Sequence, residues 1–155
     1  MKYLSAFLIT SLLSCLSSQG TAQTVWKTFN HENGFTIQLP NYFSKGLLVA
    51  AGTLQYFDNK IDDSISLSVE SFGHGNSAEL QSTYENDLTT YKGISYKVIK
   101  PNWYVISGQN EEGIFYNKSI IRNGVQHHLR ITYPVHEKAL FDAILPRLSS
   151  SFGPG

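Results

Sequence analysis

Residues 113–133 decide the fold class and have the sequence GIFYNKSIIR-NG-VQHHLRITY. Residues 113–122 and 125–133 are rich in β-branched and aromatic side chains, which favour strands. Between them stands Asn123-Gly124, a dipeptide that strongly indicates a two-residue turn in a β-hairpin. We therefore predict two antiparallel strands joined at this turn.

Further strands are predicted on the N-terminal side of this hairpin. Residues 64–70 alternate between small or charged polar and apolar side chains, which is typical of a strand with one buried face. Residues 47–57 are expected to form a single strand in which Leu54 and Tyr56 point inward. The other predicted strands span residues 25–29, 35–39, 95–100 and 103–108.

Two segments have helical periodicity instead. Residues 77–92 predict a helix with Ser77 as its N-cap and Gly93 just beyond its C-terminus. Residues 136–150 predict a closing helix, whose last turn Pro146 should kink or weaken. The predicted inner stripes are Leu80, Tyr84, Leu88 and Tyr91 in the first helix, and Leu140, Ile144 and Leu148 in the second. Grouped strands with few helices predict an α+β domain with an antiparallel sheet.

The first 22 residues have the order of a secretory signal peptide. Lys2 precedes an apolar stretch over residues 3–16, and small or polar residues follow up to Ala22. Cleavage there would leave one domain over residues 23–155, and the apolar stretch is shorter than the roughly 20 residues of a membrane span. Cys15 follows Leu-Leu-Ser as in a bacterial lipobox, so the alternative is a lipoprotein anchored through Cys15. Both interpretations predict an exported protein, periplasmic or secreted.

Composition excludes several partners and chemistries. The 155 residues include 12 Lys and Arg and 12 Asp and Glu, so the formal charge is zero. Because nucleic acid binding depends on clustered basic residues, and no basic run is present, we expect no nucleic acid partner. The single cysteine lies in the predicted signal peptide, so the domain should have no disulfide, no cysteine metal site and no thiol nucleophile.

Several strand ends and turns carry a family resemblance. They are residues 35–43 (FTIQLPNYF), 103–108 (WYVISG), 113–118 (GIFYNK), 131–134 (ITYP) and the end of the closing helix at Ser151-Phe152. In these segments the chain resembles the PsbP-like (Mog/PsbP) superfamily, especially its small exported bacterial members of unknown function. The resemblance implies an α/β/α sandwich in which helices flank a central antiparallel sheet. Known members act by binding other proteins, such as an extrinsic photosystem II subunit and a nuclear Ran-binding protein, and no site residue is carried over from them.

Histidine, carboxylate and serine residues form no recognisable catalytic or metal-binding pattern. His127 and His128 are adjacent on a predicted strand, so their side chains point to opposite faces, and we expect one in the core and one at the surface. His136 and Glu137 diverge on the closing helix, and His74 has no neighbouring ligand residue in the sequence. We therefore predict no catalytic residues, no cofactor and no metal site, and a protein that is not an enzyme.

Aromatic residues on the last strands are the most informative feature for function. Trp103, Tyr104, Tyr116 and Tyr133 would line a groove or a protein-contact surface if the helices leave part of the sheet uncovered, and core packing is the alternative. The hypothesis is a non-catalytic exported module that binds a protein or a small ligand in the cell envelope. The alternatives are an envelope enzyme with a His-centred site and a structural accessory subunit.

Overall fold

The computed structural model describes residues 24–152, which form nine strands and two helices. The strands are β1 (Trp26–Asn30), β2 (Thr36–Pro40), β3 (Phe43–Val49), β4 (Leu54–Asn59), β5 (Ser66–Gly73), β6 (Ile94–Lys100), β7 (Trp103–Asn110), β8 (Gly113–Arg122) and β9 (Val125–Tyr133). The helices are α1 (Ser77–Thr90) and α2 (Lys138–Ser151). Neither has the length and apolar character that a helix needs to cross a membrane.

Seven strands form one antiparallel sheet in the order β3-β4-β5-β9-β8-β7-β6. β3–β5 and β6–β9 are each a local meander, and the pairing of β5 with β9 joins the two. β1 and β2 form a separate hairpin that packs with α2. The antiparallel sheet with two helices confirms the predicted α+β class.

The helices lie on opposite faces of the sheet. α1 packs on β7 and β8 over a core of Leu80, Tyr84, Tyr104, Ile106 and Phe115. The other face is covered by α2 and the β1–β2 hairpin, whose core includes Ile37, Leu39, Leu67, Ile131 and Leu148. This is the helix–sheet–helix layering that the family resemblance implied, with a hairpin added to the α2 layer.

The predicted hairpin at residues 113–133 is confirmed with its bounds. β8 and β9 pair without a register shift, from Arg122 opposite Val125 at the turn to Ile114 opposite Tyr133 at the other end. Asn123 and Gly124 both have positive φ, 52° and 73°, which is the backbone that a type I′ turn requires and that Asn-Gly tolerates best.

The predicted single strand over residues 47–57 is wrong. β3 and β4 are two strands, and a 3₁₀ turn at Ala50–Gly52 separates them. The predicted inward face is also wrong, because Gln55 and Phe57 are buried whereas Tyr56 is 39% exposed. Burial of the polar Gln55 reversed the apparent alternation, since its amide donates hydrogen bonds to the carbonyls of Gly46 and Leu47 where the register of β3 shifts.

α1 begins at the predicted Ser77, and α2 begins two residues later than predicted. Asn76, rather than Ser77, caps α1, because its Oδ1 accepts from the N–H groups of Ala78 and Glu79 at 3.0 Å each. A 3₁₀ turn at Val135–Glu137 precedes α2. Phe141, and not Leu140, joins Ile144 and Leu148 on the buried stripe of α2.

Candidate functional site

The four aromatic residues predicted as a binding surface do not lie together. Trp103 and Tyr104 point to opposite faces of β7, because neighbouring strand residues alternate. Trp103 and Tyr116 lie on the α2 side, with Tyr133 farther along on β9, packed against α2. Tyr104 is 0% exposed beneath α1, so its assignment to a binding surface is corrected.

A cavity of about 600 Å³ opens between α2 and strands β6–β8. The β1–β2 hairpin covers another part of the same face, because β2 packs against α2. Its apolar lining consists of Tyr96, Trp103, Val105, Tyr116, Leu145 and Pro146. A smaller depression of about 270 Å³ adjoins it, shares Tyr116 and Leu145, and reaches Tyr133. We call the two together the α2 groove.

Lys118 is the buried cation of the α2 groove. Lys118 is 8% exposed, and its Nζ donates a hydrogen bond to the carbonyl of Ser149 at 2.8 Å. The Nζ also lies 5.8 Å from the centre of the Trp103 ring, within cation–π range. No carboxylate forms an ion pair with Lys118 within residues 24–152. Burial lowers the pKa of its ammonium, because desolvation disfavours the charged form.

Tyr116 joins the sheet side of the groove to α2. Its hydroxyl shares a hydrogen bond of 2.5 Å with Oγ of Ser149. Burial raises the pKa of Tyr116, while the bond to Ser149 acts in the opposite direction. Ser149 therefore connects two groove residues to α2, one through its hydroxyl and one through its carbonyl.

The end of the groove near Tyr133 differs from the Lys118 end in its charge. There the Tyr133 ring stacks on Phe141 with centroids 3.9 Å apart. Lys138 and Asp142 form an exposed ion pair of 2.6 Å at the rim. The cation at this end is thus already neutralised, whereas Lys118 at the other end is not.

A second polar cluster lies beneath α1, and the sequence did not predict it. The Tyr104 hydroxyl donates to Oδ2 of Asp87 at 2.6 Å, and Nε2 of His128 lies 3.4 Å from the same oxygen without a hydrogen bond. Burial raises the pKa of Asp87, and it lowers the pKa of His128 to about 3, with the nearby Arg130 charge adding to the decrease. Asp87 follows Tyr84 by three residues on the inner stripe of α1, which is the signal that could have revealed it.

Both histidines of the His127-His128 pair are buried, so the predicted surface position for one of them is wrong. The reason is that β9 is a central strand covered on both faces. Nδ1 of His127 lies 2.9 Å from Oγ of Ser71, and the ring packs edge-on against Phe35. Burial lowers the pKa of His127 to about 4, with the charge of Arg122 as the next cause. Neither ring lines the α2 groove.

One group of ligand-type side chains does come together at the end of the sheet. Nε2 of His136 lies 3.0 Å from Oδ2 of Asp62 and 3.9 Å from Oε1 of Glu137. Ser64 holds the other Asp62 oxygen through its N–H and its hydroxyl. These three residues offer the atom types of a divalent metal site, but the His136 side chain is 67% exposed. Sequence reasoning missed the group because Asp62 and His136 are 74 residues apart.

Cys15 and the predicted signal peptide lie outside the described residues, so their assignments stay predictions. The predicted domain over residues 23–155 likewise stays a prediction at its ends.

Comparison with known proteins shows which solved structures share this fold. No protein-family model matches the sequence, and no curated protein sequence matches it. The solution structure of cyanobacterial PsbP (CyanoP) from Synechocystis sp. PCC 6803 is similar, with a TM-score of 0.60 and 14% identity over 93% of this chain and 99% of that chain. A crystal structure from Bacteroides thetaiotaomicron overlaps more weakly, with a TM-score of 0.47 and 15% identity over 70% of this chain and 42% of that one. The chain therefore has a PsbP-like fold, as its strand-end sequences predicted.

Proposed function

We propose that this protein is a non-catalytic binding module of the cell envelope and that the α2 groove binds a small ligand. The observation that carries the proposal is a cavity of about 600 Å³ with an aromatic and aliphatic lining and few polar groups. Ligand sites in proteins are typically roughly 300–1,000 Å³, mostly apolar, and contain a small number of placed polar groups. Lys118, Tyr116 and Ser149 are such groups here, because they converge on one wall.

The groove supports binding better than catalysis. Its lining within residues 24–152 includes neither histidine nor cysteine. Among residues 24–152, one serine forms a direct side-chain hydrogen bond with a histidine, Ser71 with His127. This pair is buried beneath the β1–β2 hairpin, away from the groove. A hydrolytic site needs a nucleophile and a base that substrate can reach, so this pair favours a structural role.

A protein partner is the second candidate, and a different surface favours it. Tyr56 and Phe72 are exposed apolar side chains on the α1 face of the β3–β5 meander, which α1 leaves largely uncovered. Leu47 and Leu48 are exposed on the edge strand β3. Exposed apolar patches on a soluble domain often mark protein contacts. The two candidate functions predict binding sites at opposite ends of the sheet.

The test is a small-molecule fragment screen by two-dimensional NMR on the uniformly ¹⁵N-labelled protein. We expect the shifted resonances to cluster at Trp103, Tyr116 and the C-terminal half of α2. Ser150→Trp should abolish these shifts, because Ser150 is an exposed residue at the groove wall and a bulky side chain there would fill the cavity. Ser82→Trp, on the exposed side of α1, is the matched control. Shifts confined to the region of Tyr56 and Phe72 would contradict the proposal and favour a protein-binding surface.

A further inference from the structure

We infer that the ligand of the α2 groove carries one carboxylate beside a flat apolar body, and that Lys118 binds the carboxylate. This inference rests on the proposed function, and it names the chemical class of the ligand.

Lys118 has unused capacity to bind an anion. An ammonium group has three N–H donors, and the structure shows a single short hydrogen bond, to the carbonyl of Ser149, with Oγ of the same residue at 3.5 Å. Burying a cation without a charged partner is costly, so buried charges in proteins are usually paired. The described residues supply Lys118 with no such partner, and Lys118 is one of the residues that line the cavity. A ligand carboxylate would supply the missing charge.

The alternative role of Lys118 is to cap α2, and this role compensates only part of the lysine charge. Ser149 is in the last turn of α2, where backbone carbonyls lack helical partners. A lysine at this end is favourable, but the helix dipole there amounts to only about half an elementary charge. Capping therefore uses one donor and leaves part of the positive charge uncompensated.

The surroundings favour a monoanion over a phosphate. Phosphate sites typically use arginine pairs, several backbone N–H groups or a helix N-terminus. At its Lys118 end the α2 groove instead has a single lysine beside a helix C-terminus, whose carbonyls repel additional negative charge. The second lysine of the groove, Lys138, is paired with Asp142.

The body of the ligand is set by the walls beside Lys118. Trp103 lies within cation–π distance of the ammonium, so a flat group bound next to the carboxylate would lie along the indole. Leu145 and Pro146 close the opposite side from α2. An aromatic or alicyclic ring with an attached carboxylate therefore complements the wall in shape, polarity and charge.

The experiment compares three ring-matched probes by NMR titration: 2-naphthoate, the neutral 2-naphthamide and 2-naphthyl phosphate. We expect 2-naphthoate to bind the groove at least about tenfold more tightly than 2-naphthamide, because a hydrogen bond between charged groups is stronger than a neutral one. We expect the phosphate to bind more weakly than 2-naphthoate. In Lys118→Met the preference for the carboxylate should disappear. In Lys97→Met it should remain, since Lys97 on β6 faces the other side of the sheet and matches the charge change.

A second measurement avoids dependence on the stability of Lys118→Met. In wild-type protein with ¹⁵Nζ-labelled lysine, the Lys118 signal should shift with 2-naphthoate and not with 2-naphthamide. Equal affinities for the two probes would overturn the inference but leave the proposed function standing, because both would still bind the groove. Tighter binding of the phosphate would overturn the carboxylate assignment. If 2-naphthoate causes no groove shifts, the inference is wrong, and only a negative fragment screen would also remove the proposed function.

Discussion

Acidification should destabilise this protein through its two buried histidines. His127 and His128 are 1% and 0% exposed, and burial lowers their pKa values to about 4 and about 3. In the unfolded chain both would titrate near the ordinary value of 6.5. Between pH 6.5 and the folded values, the unfolded state therefore binds more protons than the folded state, and the free energy of unfolding falls as pH falls.

The size of the effect at pH 5 follows from the unfolded pKa. Each histidine that stays neutral in the fold costs about 1.4 kcal/mol for every pH unit below 6.5. At pH 5 this amounts to about 2 kcal/mol for each residue, and it does not depend on the exact folded value as long as that value lies below 5. The two together remove about 4 kcal/mol, a large part of the roughly 5–15 kcal/mol by which such domains are stable.

Asp87 acts in the opposite direction. Burial raises its pKa, so the folded state binds a proton at this carboxyl before the unfolded state does, and acidification through that range adds stability. Asp87 contacts His128 but lies on the face of the sheet opposite His127. His127→Gln therefore measures a histidine contribution that is separate from the titration of Asp87.

The assay is urea unfolding followed by circular dichroism at pH 7.5 and pH 5.0. Between these two pH values, the free energy of unfolding of His127→Gln and of His128→Gln should each fall by about 2 kcal/mol less than that of the parent. His74→Gln, which removes an exposed loop histidine, is the control and should keep the parental difference. The reasoning is refuted if both buried-site variants lose as much stability on acidification as the parent.

Three further expectations concern stability, metal and processing. Tyr104→Ala should lower the free energy of unfolding by about 3–5 kcal/mol in urea titrations, because Tyr104 is fully buried. Trp103→Ala should lower it less and should abolish fragment binding. If Tyr104→Ala melts like the parent, the central position of Tyr104 is wrong. Elemental analysis of the purified protein should show no stoichiometric transition metal, and one equivalent of zinc that is lost in His136→Gln would overturn this. N-terminal sequencing of protein from its native host should begin at Gln23; a lipid-modified Cys15 would support the lipoprotein alternative, and an unprocessed start would refute export.

Strand alternation and turn chemistry predicted most of the architecture. β8, β9 and their Asn123-Gly124 turn were predicted with the observed bounds, because the apolar and β-branched residues there agree with the local turn preference. The prediction failed where a polar side chain is buried by hydrogen bonds. Gln55 is such a case, since its burial places Tyr56 on the exposed side and reverses the apparent inner face of β4.

The candidate site was predictable only in part, because it depends on which segments cover the sheet. Strand periodicity correctly separated Trp103 from Tyr104, but it could not tell which face would stay partly open. Lys118 looked like an ordinary polar residue in a strand. Its burial results from α2, whose Ser149 accepts its hydrogen bond from 31 residues farther along the chain. Long-range packing of this kind leaves no local pattern in a single sequence.

The pairing of β5 with β9 also has a consequence for how the chain folds. Strands within each meander are close neighbours in sequence and can form hairpins in about 1–10 μs. β5 and β9, in contrast, bring together residues such as Ser71 and His127, which are 56 positions apart. Closing that loop costs entropy before any contact compensates for it, so the seam between the meanders should form late. Until it forms, β5 is an unpaired edge bearing Leu67 and Val69, and refolding yield should decrease with protein concentration, because this edge can pair with another copy of the chain.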